Sequence, residues 1–334
     1  MSDRTKISVA VITYNQENTI RQTLDSILMQ RGDFDLELVI GEDCSQDNTY
    51  KICEEYAEKY PNIVKLLPNT HNLGIMANFA RVIHACTGEL IGDIAGDDYY
   101  CDDHALEKQM TYMFSHPEVG VMAANGYLYY IRSNKKVPGL NPVFDSNQKK
   151  VKEYYFSPTH YEGAYFAPVG IIYRSDLLKK YIDFDEIVCR KLPVEDYPIQ
   201  AILSQHTHFA CLPDLLVTYR VYKESASYIS YNHPRYLEYY QGLMDTRRYL
   251  NELFPNDAIS EEILQERMFY KEFNYYVYNM KYREAKQLVA SVPQSIIRTN
   301  SVRKAKQYSK DWLRFIAYHI YKKLITHISI KKVV

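Results

Sequence analysis

Three polar segments carry the side chains best suited to chemistry: Thr13-Tyr14-Asn15-Gln16-Glu17, Gly41-Glu42-Asp43-Cys44-Ser45-Gln46-Asp47-Asn48 and Ala95-Gly96-Asp97-Asp98. Each follows a short apolar run, and two of the three are acidic. Acids grouped in this way suit a divalent cation, which takes hard oxygen ligands and in turn holds phosphate oxygens. Any one segment alone reads better as the caps and turns that start a helix. All three together favour a ligand site. Two later features belong with them. Val194-Glu195-Asp196-Tyr197 opens a helix, where Asp196 is either a cap or a general base facing a cleft. Arg220 stands alone in an uncharged run, as a surface ion pair or a phosphate contact.

The elements that must position these groups are legible from periodicity. Ile7–Ile12, Leu36–Ile40, Ile63–Leu67, Leu90–Ile94 and Val119–Ala124 read as strands. Between them, residues such as Ile20, Leu24, Ile27 and Leu28 recur at helical spacing. Strand alternating with helix predicts a doubly wound α/β sheet, in which ligands bind beyond the carboxyl ends of the strands. The polar segments sit at those ends. Ser133–Lys152 reads as an exposed loop, Val169–Tyr173 and Leu215–Tyr219 as strands, and Val194–Ser204 as a helix. Tyr236–Leu253 and Glu261–Met280 read as helices. The expected organisation is a first half over 1–130, a second half of the same domain over 131–232, and a helical extension over 233–334.

Other chemistries are disfavoured. The 12 glycines form no G-x-G-x-x-G, and neither a phosphate-binding Walker loop nor a G-x-S-x-G elbow occurs. His206 and His208 read as incidental. The six cysteines lack zinc-ligand spacing, which fits reduced thiols in a cytoplasmic protein. No apolar run is long enough to span a bilayer. With 40 basic and 41 acidic side chains, the chain is not built overall to grip nucleic acid.

Val9–Ile20 with Leu24–Gln30, then Leu38–Thr49, Asn72-Leu73-Gly74, Gly88-Glu89 and Gly96-Asp97-Asp98-Tyr99 resemble, in order, the motifs of family 2 glycosyltransferases. The resemblance is dense over 7–116, sparse through Glu195-Asp196 and Tyr219-Arg220, and absent after about residue 235. It implies a GT-A type mixed sheet, with a Rossmann-like nucleotide-binding half and an acceptor half. It further implies inverting transfer of a sugar from a nucleotide-diphosphate donor (a UDP-sugar by default) to a glycan or lipid-linked acceptor, with Mg²⁺ or Mn²⁺. By position, Thr13, Tyr14, Asn15, Glu17 and Asp43 would hold base and ribose. Asp97 would be the metal ligand with Asp98 beside it, Asp196 the base, and Arg220 a partner of the diphosphate. Two positions depart from the pattern. Ala95 stands where relatives carry an acid, and Tyr222 where they often carry a histidine. Asp93 does not replace the missing acid, since four extended residues span about 13 Å. These departures leave room for a second class, a catalytically weak nucleotide-sugar-binding homologue or scaffold.

From Arg298 onward the chain has ten lysines or arginines against the single acid Asp311, while the residues before it are net acidic. Trp312, Phe315, Ile316, Tyr318, Ile320, Leu324 and Ile325 are interspersed among these cations. Residues 298–334 therefore read either as a helix lying on anionic lipid at the inner face of a membrane, or as a basic helix packed on an acidic body.

Overall fold

Five of the eight residues of the first strand, Lys6–Thr13, are apolar, and Ile7 to Val11 are buried on both faces; the rest of the sheet grows outward from it. The computed structural model describes residues 4–157, 164–222 and 231–333, with 324–333 by backbone alone. Two compact units form, one of Met1–Tyr155 with His160–Val221 and one of Phe156–Thr159 with Tyr222–Val334.

The first unit runs β1 (Lys6–Thr13), α1 (Ile20–Leu28), β2 (Asp35–Glu42), α2 (Thr49–Lys59), β3 (Val64–Pro68), α3 (Ile75–Ala85), β4 (Leu90–Ala95), β5 (Tyr99–Tyr100) and α4 (Ala105–Ser115). It continues through β6 (Val119–Tyr130), β7 (Lys135–Pro138), β8 (Phe144–Asn147), α5 (Lys149–Phe156), β9 (Val169–Arg174), α6 (Ser175–Tyr181), α7 (Phe184–Cys189), α8 (Asp196–Leu203) and β10 (His208–Val221). The sheet order is β3-β2-β1-β4-β9-β6-β10-β5, with β7 on β6 and β8 on β10. β1 to β4 are mutually parallel, and β9 enters antiparallel between β4 and β6. The result is a mixed sheet. Its main core joins Val9, Val11, Leu38 and Ile94 to Leu24 and Ile27 of α1 and Met110 and Met113 of α4, all buried.

The parallel half follows the sequence reading closely. The stretch 133–152 does not: the expected exposed loop contains β7, β8 and the start of α5. Both strands have only four residues and lie at the side of the main path, where Lys135, Lys136 and Pro138 suit an edge. Such strands carry no period-2 apolar signal. β6 and β10 also run longer than expected, paired with each other through shifts in register between Cys211 and Val217, around Pro213.

The second unit is helical: α9 (Tyr236–Leu253), α10 (Glu261–Tyr278), α11 (Tyr282–Ala290), α12 (Asn300–Tyr308) and α13 (Trp312–Val333). Its core gathers Phe269, Phe273 and Val277 of α10 with Val302 and Ala305 of α12 and Phe315 and Tyr318 of α13. The tail is thus two helices, and its inner face is packed. The side chains of Leu324 and Ile325 lie outside the described residues. Among those residues no helix is long and apolar enough to cross a membrane.

Candidate active site

The strand register brings the three polar segments to one edge. Thr13 at the end of β1 lies level with Glu42 of β2, and Ile12 level with Ala95 of β4. The tips after β1 and β2 are laced together. Asn15, at φ 53°, donates its backbone N–H to the Ser45 hydroxyl at 2.9 Å and accepts from the Gln46 N–H at 2.8 Å. Asparagine tolerates this left-handed conformation better than most residues. Glu17 accepts from the backbone and side-chain nitrogens of Asn48 at 3.0 and 2.7 Å. The Thr13 hydroxyl donates to Gln16 Oε1 at 2.7 Å. Tyr14 is left standing outward, 44% exposed.

Asp43 is buried and fully engaged. Its carboxylate accepts from Asn69 Nδ2 at 2.8 Å and from the backbone N–H groups of Leu73 and Gly74 at 2.7 and 2.9 Å. It therefore fixes the 69–74 loop against the end of β2. The third tip is clamped to α1, where the Thr19 hydroxyl donates to the Gly96 carbonyl at 3.0 Å and the Thr23 hydroxyl to the Asp98 carbonyl at 2.6 Å.

Arg220 lies beneath this tip. Its backbone N–H donates to Asp98 Oδ1 at 2.7 Å, and its guanidinium donates to the Asp97 carbonyl and to Gln22 Oε1. The guanidinium also sits over the Tyr99 ring, 4.7 Å from its centroid. Asp98 is completely buried; burial, reinforced by the Asp97 charge, raises its pKa well above the ordinary range. Asp98 therefore ties β10 to the tip. Asp97 is less enclosed, and burial raises its pKa too, against the opposing pull of Arg220 and Gln16.

A second group of carboxyls gathers on the face that carries α8. Asp196 is the first residue of α8 and accepts the Tyr197 N–H at 2.7 Å. Burial pushes its pKa up to about 6. Glu195 is raised further, by burial and by the Asp196 charge. Asp93, a buried residue of β4 paired with Ala10 and Ile171, is raised well above the carboxylate range by burial and by the charges of Glu195 and Asp196. The start of α8 is held in turn by a tyrosine set: Tyr155 donates to Gln200 Oε1 at 2.7 Å, and its ring stacks on Tyr197 at 5.8 Å. Gln22 was not noted in the sequence, Gln16 and Glu195 were given no role beyond their polar segments, and Asp93 was weighed only as a substitute for the missing acid at position 95. The one available signal was Asp93, an acid at an inward position of an apolar strand.

A divalent cation fits Asp97 better than any other candidate. It is a carboxylate at the tip, partly desolvated, with Arg220 as its compensating charge. Among the described residues no group of three or more His, Cys, Asp or Glu forms a metal cage. One carboxylate completed by substrate phosphates and water is, however, a usual way to bind Mg²⁺.

Residues 8–182 match glycosyl transferase family 2. An uncharacterised protein of Mycobacterium tuberculosis is 30% identical over 219 residues, which is 64% of this chain; the chain spans 58% of that relative's length. The putative glycosyltransferase EpsE of Bacillus subtilis is 33% identical over 116 residues, 35% of this chain and 41% of EpsE. Among solved structures, S. aureus TarS 1-349 in complex with UDP-GlcNAc aligns with a TM-score of 0.57 at 18% identity, covering 94% of this chain and 89% of that one. The Pyrobaculum calidifontis mannosyltransferase PcManGT, in complex with GDP-Man and Mn²⁺, aligns at 0.51 with 15% identity, covering 96% and 89%. The mixed α/β sheet with a helical C-terminal region is therefore a GT-A type fold, and with more than half of its length matched the chain belongs to glycosyl transferase family 2.

Proposed function

We propose that this chain is an inverting glycosyltransferase that moves a sugar from a nucleotide-diphosphate donor to a hydroxyl of a glycan or lipid-linked acceptor. The observation that carries the reading is the pairing, on one unit, of the laced tips after β1, β2 and β4 with a desolvated carboxylate, Asp196, at the start of α8. In this reading Tyr14 and the 13–17 tip, with Asn15 and Glu17, receive base and ribose, and Asp43 holds the loop that completes the nucleotide pocket. Asp97 would hold the cation, which supplies positive charge to the departing diphosphate. Asp98 and Arg220 set the tip's position, and the Arg220 guanidinium adds a fixed charge beside it.

Asp196 accepts the proton of the acceptor hydroxyl as that oxygen bonds to the anomeric carbon. On the opposite face the bond from that carbon to the diphosphate oxygen breaks, and its electron pair leaves with the diphosphate. Attack from the far side inverts the anomeric centre. A base with a raised pKa is better matched to a hydroxyl proton near neutral pH than an ordinary aspartate. Support for a nucleotide-sugar donor comes from the ligands of TarS and PcManGT. Support for a role in surface glycan synthesis comes from the matched relative named minor teichoic acid biosynthesis protein GgaA; another is named dTDP-rhamnosyl transferase RfbG. RfbG, TarS and PcManGT are named with dTDP, UDP and GDP respectively, so UDP is a starting choice.

Calorimetric titration of UDP and GDP, each in EDTA, Mg²⁺ or Mn²⁺, tests the donor site. Cation-dependent binding that disappears in Asp97→Ala is the expected result. Ala95, which leaves Asp97 without a second carboxylate, favours one other reading, a nucleotide-sugar-binding homologue with weak activity. Binding indifferent to metal, with no turnover of any donor, would select it. No binding of either nucleotide would sink both.

A further inference from the structure

Among the described side chains, helix α13 has two apolar faces, one packed into the helical unit and the other exposed. Phe315, Tyr318 and His319 point into the helical unit, where they are buried against α10; His319 Nδ1 lies 2.8 Å from the Val277 carbonyl. The opposite side carries Leu313, Ala317, Ile320 and Tyr321, at the i, i+4, i+7, i+8 spacing of a single helical stripe. Leu313 is 77% exposed, Ile320 53% and Tyr321 55%. By the same periodicity Arg314 flanks this stripe on one side and Lys323 on the other, and both are exposed. Upstream, α12 buries Val302 and Ala305 and turns Arg303, Lys304 and Lys306 to solvent.

The one acid of this region is used locally. Asp311 Oδ1 accepts the Arg314 N–H at 2.9 Å, capping α13, and Oδ2 pairs with the Arg314 guanidinium at 3.3 Å. No other negative side chain from Arg298 onward offsets the exposed cations.

We propose that the Leu313–Ala317–Ile320–Tyr321 face of α13, with the cations beside it and on α12, docks on the surface of an anionic lipid bilayer. An exposed apolar stripe between cations on a helix is the pattern of a segment that lies in the headgroup plane. Apolar side chains enter the acyl boundary while lysine and arginine stay at the phosphates. A second copy of this chain is a poorer occupant. A two-fold contact through this face would set two strongly basic helices against each other, and like charges disfavour that pairing. The inference goes beyond the sugar-transfer reading, because vesicle binding is measured without turnover.

The test is sedimentation of the full chain with phosphatidylcholine vesicles, with and without phosphatidylglycerol, at low and high salt. Binding is expected only to the anionic vesicles, weakening as salt rises. The single tryptophan, Trp312, opens α13 and is 46% exposed, so its emission should shift to the blue on binding. Leu313→Ser combined with Ile320→Ser should reduce binding by at least about tenfold. Lys304→Ala alone should reduce it about fivefold. All of these side chains are exposed, so circular dichroism and nucleotide affinity should stay at parental values. Equal binding to neutral vesicles, or anionic binding that the double substitution leaves intact, overturns the proposal. So does a concentration-dependent dimer that the same double substitution dissociates, which would assign the face to a second copy.

Discussion

Asp196, Glu195 and Asp93 are all desolvated, and like charges raise the pKa of Glu195 and Asp93 further. For Asp196 the consequence is functional. The proposed base must be ionised, and burial raises its pKa, so kcat/KM should fall on the acid side with a limb above the ordinary aspartate range. Asp196→Asn should remove the limb and lower kcat by about a hundred- to ten-thousand-fold while leaving nucleotide affinity unchanged. A variant with parental turnover would exclude Asp196 as the base. For Asp93 the consequence is stability. Its folded carboxyl keeps its proton to a higher pH than in the unfolded chain, where the pKa is about 3.9. Between those two values the native state binds more protons, so stability declines as pH rises through the interval. Asn cannot ionise, so Asp93→Asn should gain on the parent as pH is raised from mildly acidic to alkaline. Melting curves across that range check it, and a constant difference would mean that the folded protein does not raise the Asp93 pKa.

Elements place these groups through close packing at the strand ends. Gly96 illustrates how little room there is: a Cβ on it would come within 2.5 Å of Gln16 Oε1 and 2.9 Å of the Thr13 Cβ. Gly96→Ala must therefore push the third tip away from the first. A loss of about 1–3 kcal/mol in stability is expected, together with weaker nucleotide binding, measurable by denaturation and calorimetry. Unchanged values for both would show that the tips do not pack this way. These tips were legible in the sequence because parallel buried strands read as unbroken apolar runs such as Val9 to Ile12, which mark their own carboxyl ends. Asp97 and Asp43 could be located from that pattern, with their roles supplied by the family resemblance. What the pattern could not supply was order across the sheet. β9 inserts between β4 and β6, although some seventy residues separate it from β4, and that insertion is a tertiary pairing with no local signature. It is also why Asp93, weighed in the sequence only as a substitute for the missing acid at position 95, showed no link to the later acids. Its neighbours Glu195 and Asp196 come from α8, a hundred residues away, and reach it only once the sheet is assembled. β7 and β8 were missed for a simpler reason: a four-residue strand with lysines and a proline, or with three polar residues out of four, looks like loop until it has a partner.

At the scale of the whole molecule, two units have separate cores, and each of the two proposals falls on one of them. Every residue assigned to the sugar-transfer site, from Thr13 to Arg220, belongs to the first unit. The exposed stripe of α13 belongs to the second, whose stability rests on its own cluster around Phe273, buried with Phe269, Val277 and Phe315. Truncating that ring leaves a cavity that helices can close only in part, so Phe273→Ala should cost the helical unit about 3–5 kcal/mol. Nucleotide binding provides the contrast. A ligand stabilises the state that binds it by mass action, so UDP or GDP, whichever the first unit binds, should raise the melting temperature of that unit. If the units act separately, Phe273→Ala lowers the transition of the helical unit and leaves both the nucleotide affinity and the ligand-induced shift unchanged. Scanning calorimetry with and without nucleotide reads both quantities in one experiment. A tenfold loss of nucleotide affinity in Phe273→Ala would instead show that the helical unit shapes the donor site. The vesicle-binding face and the sugar-transfer site would then have to be treated as one coupled system.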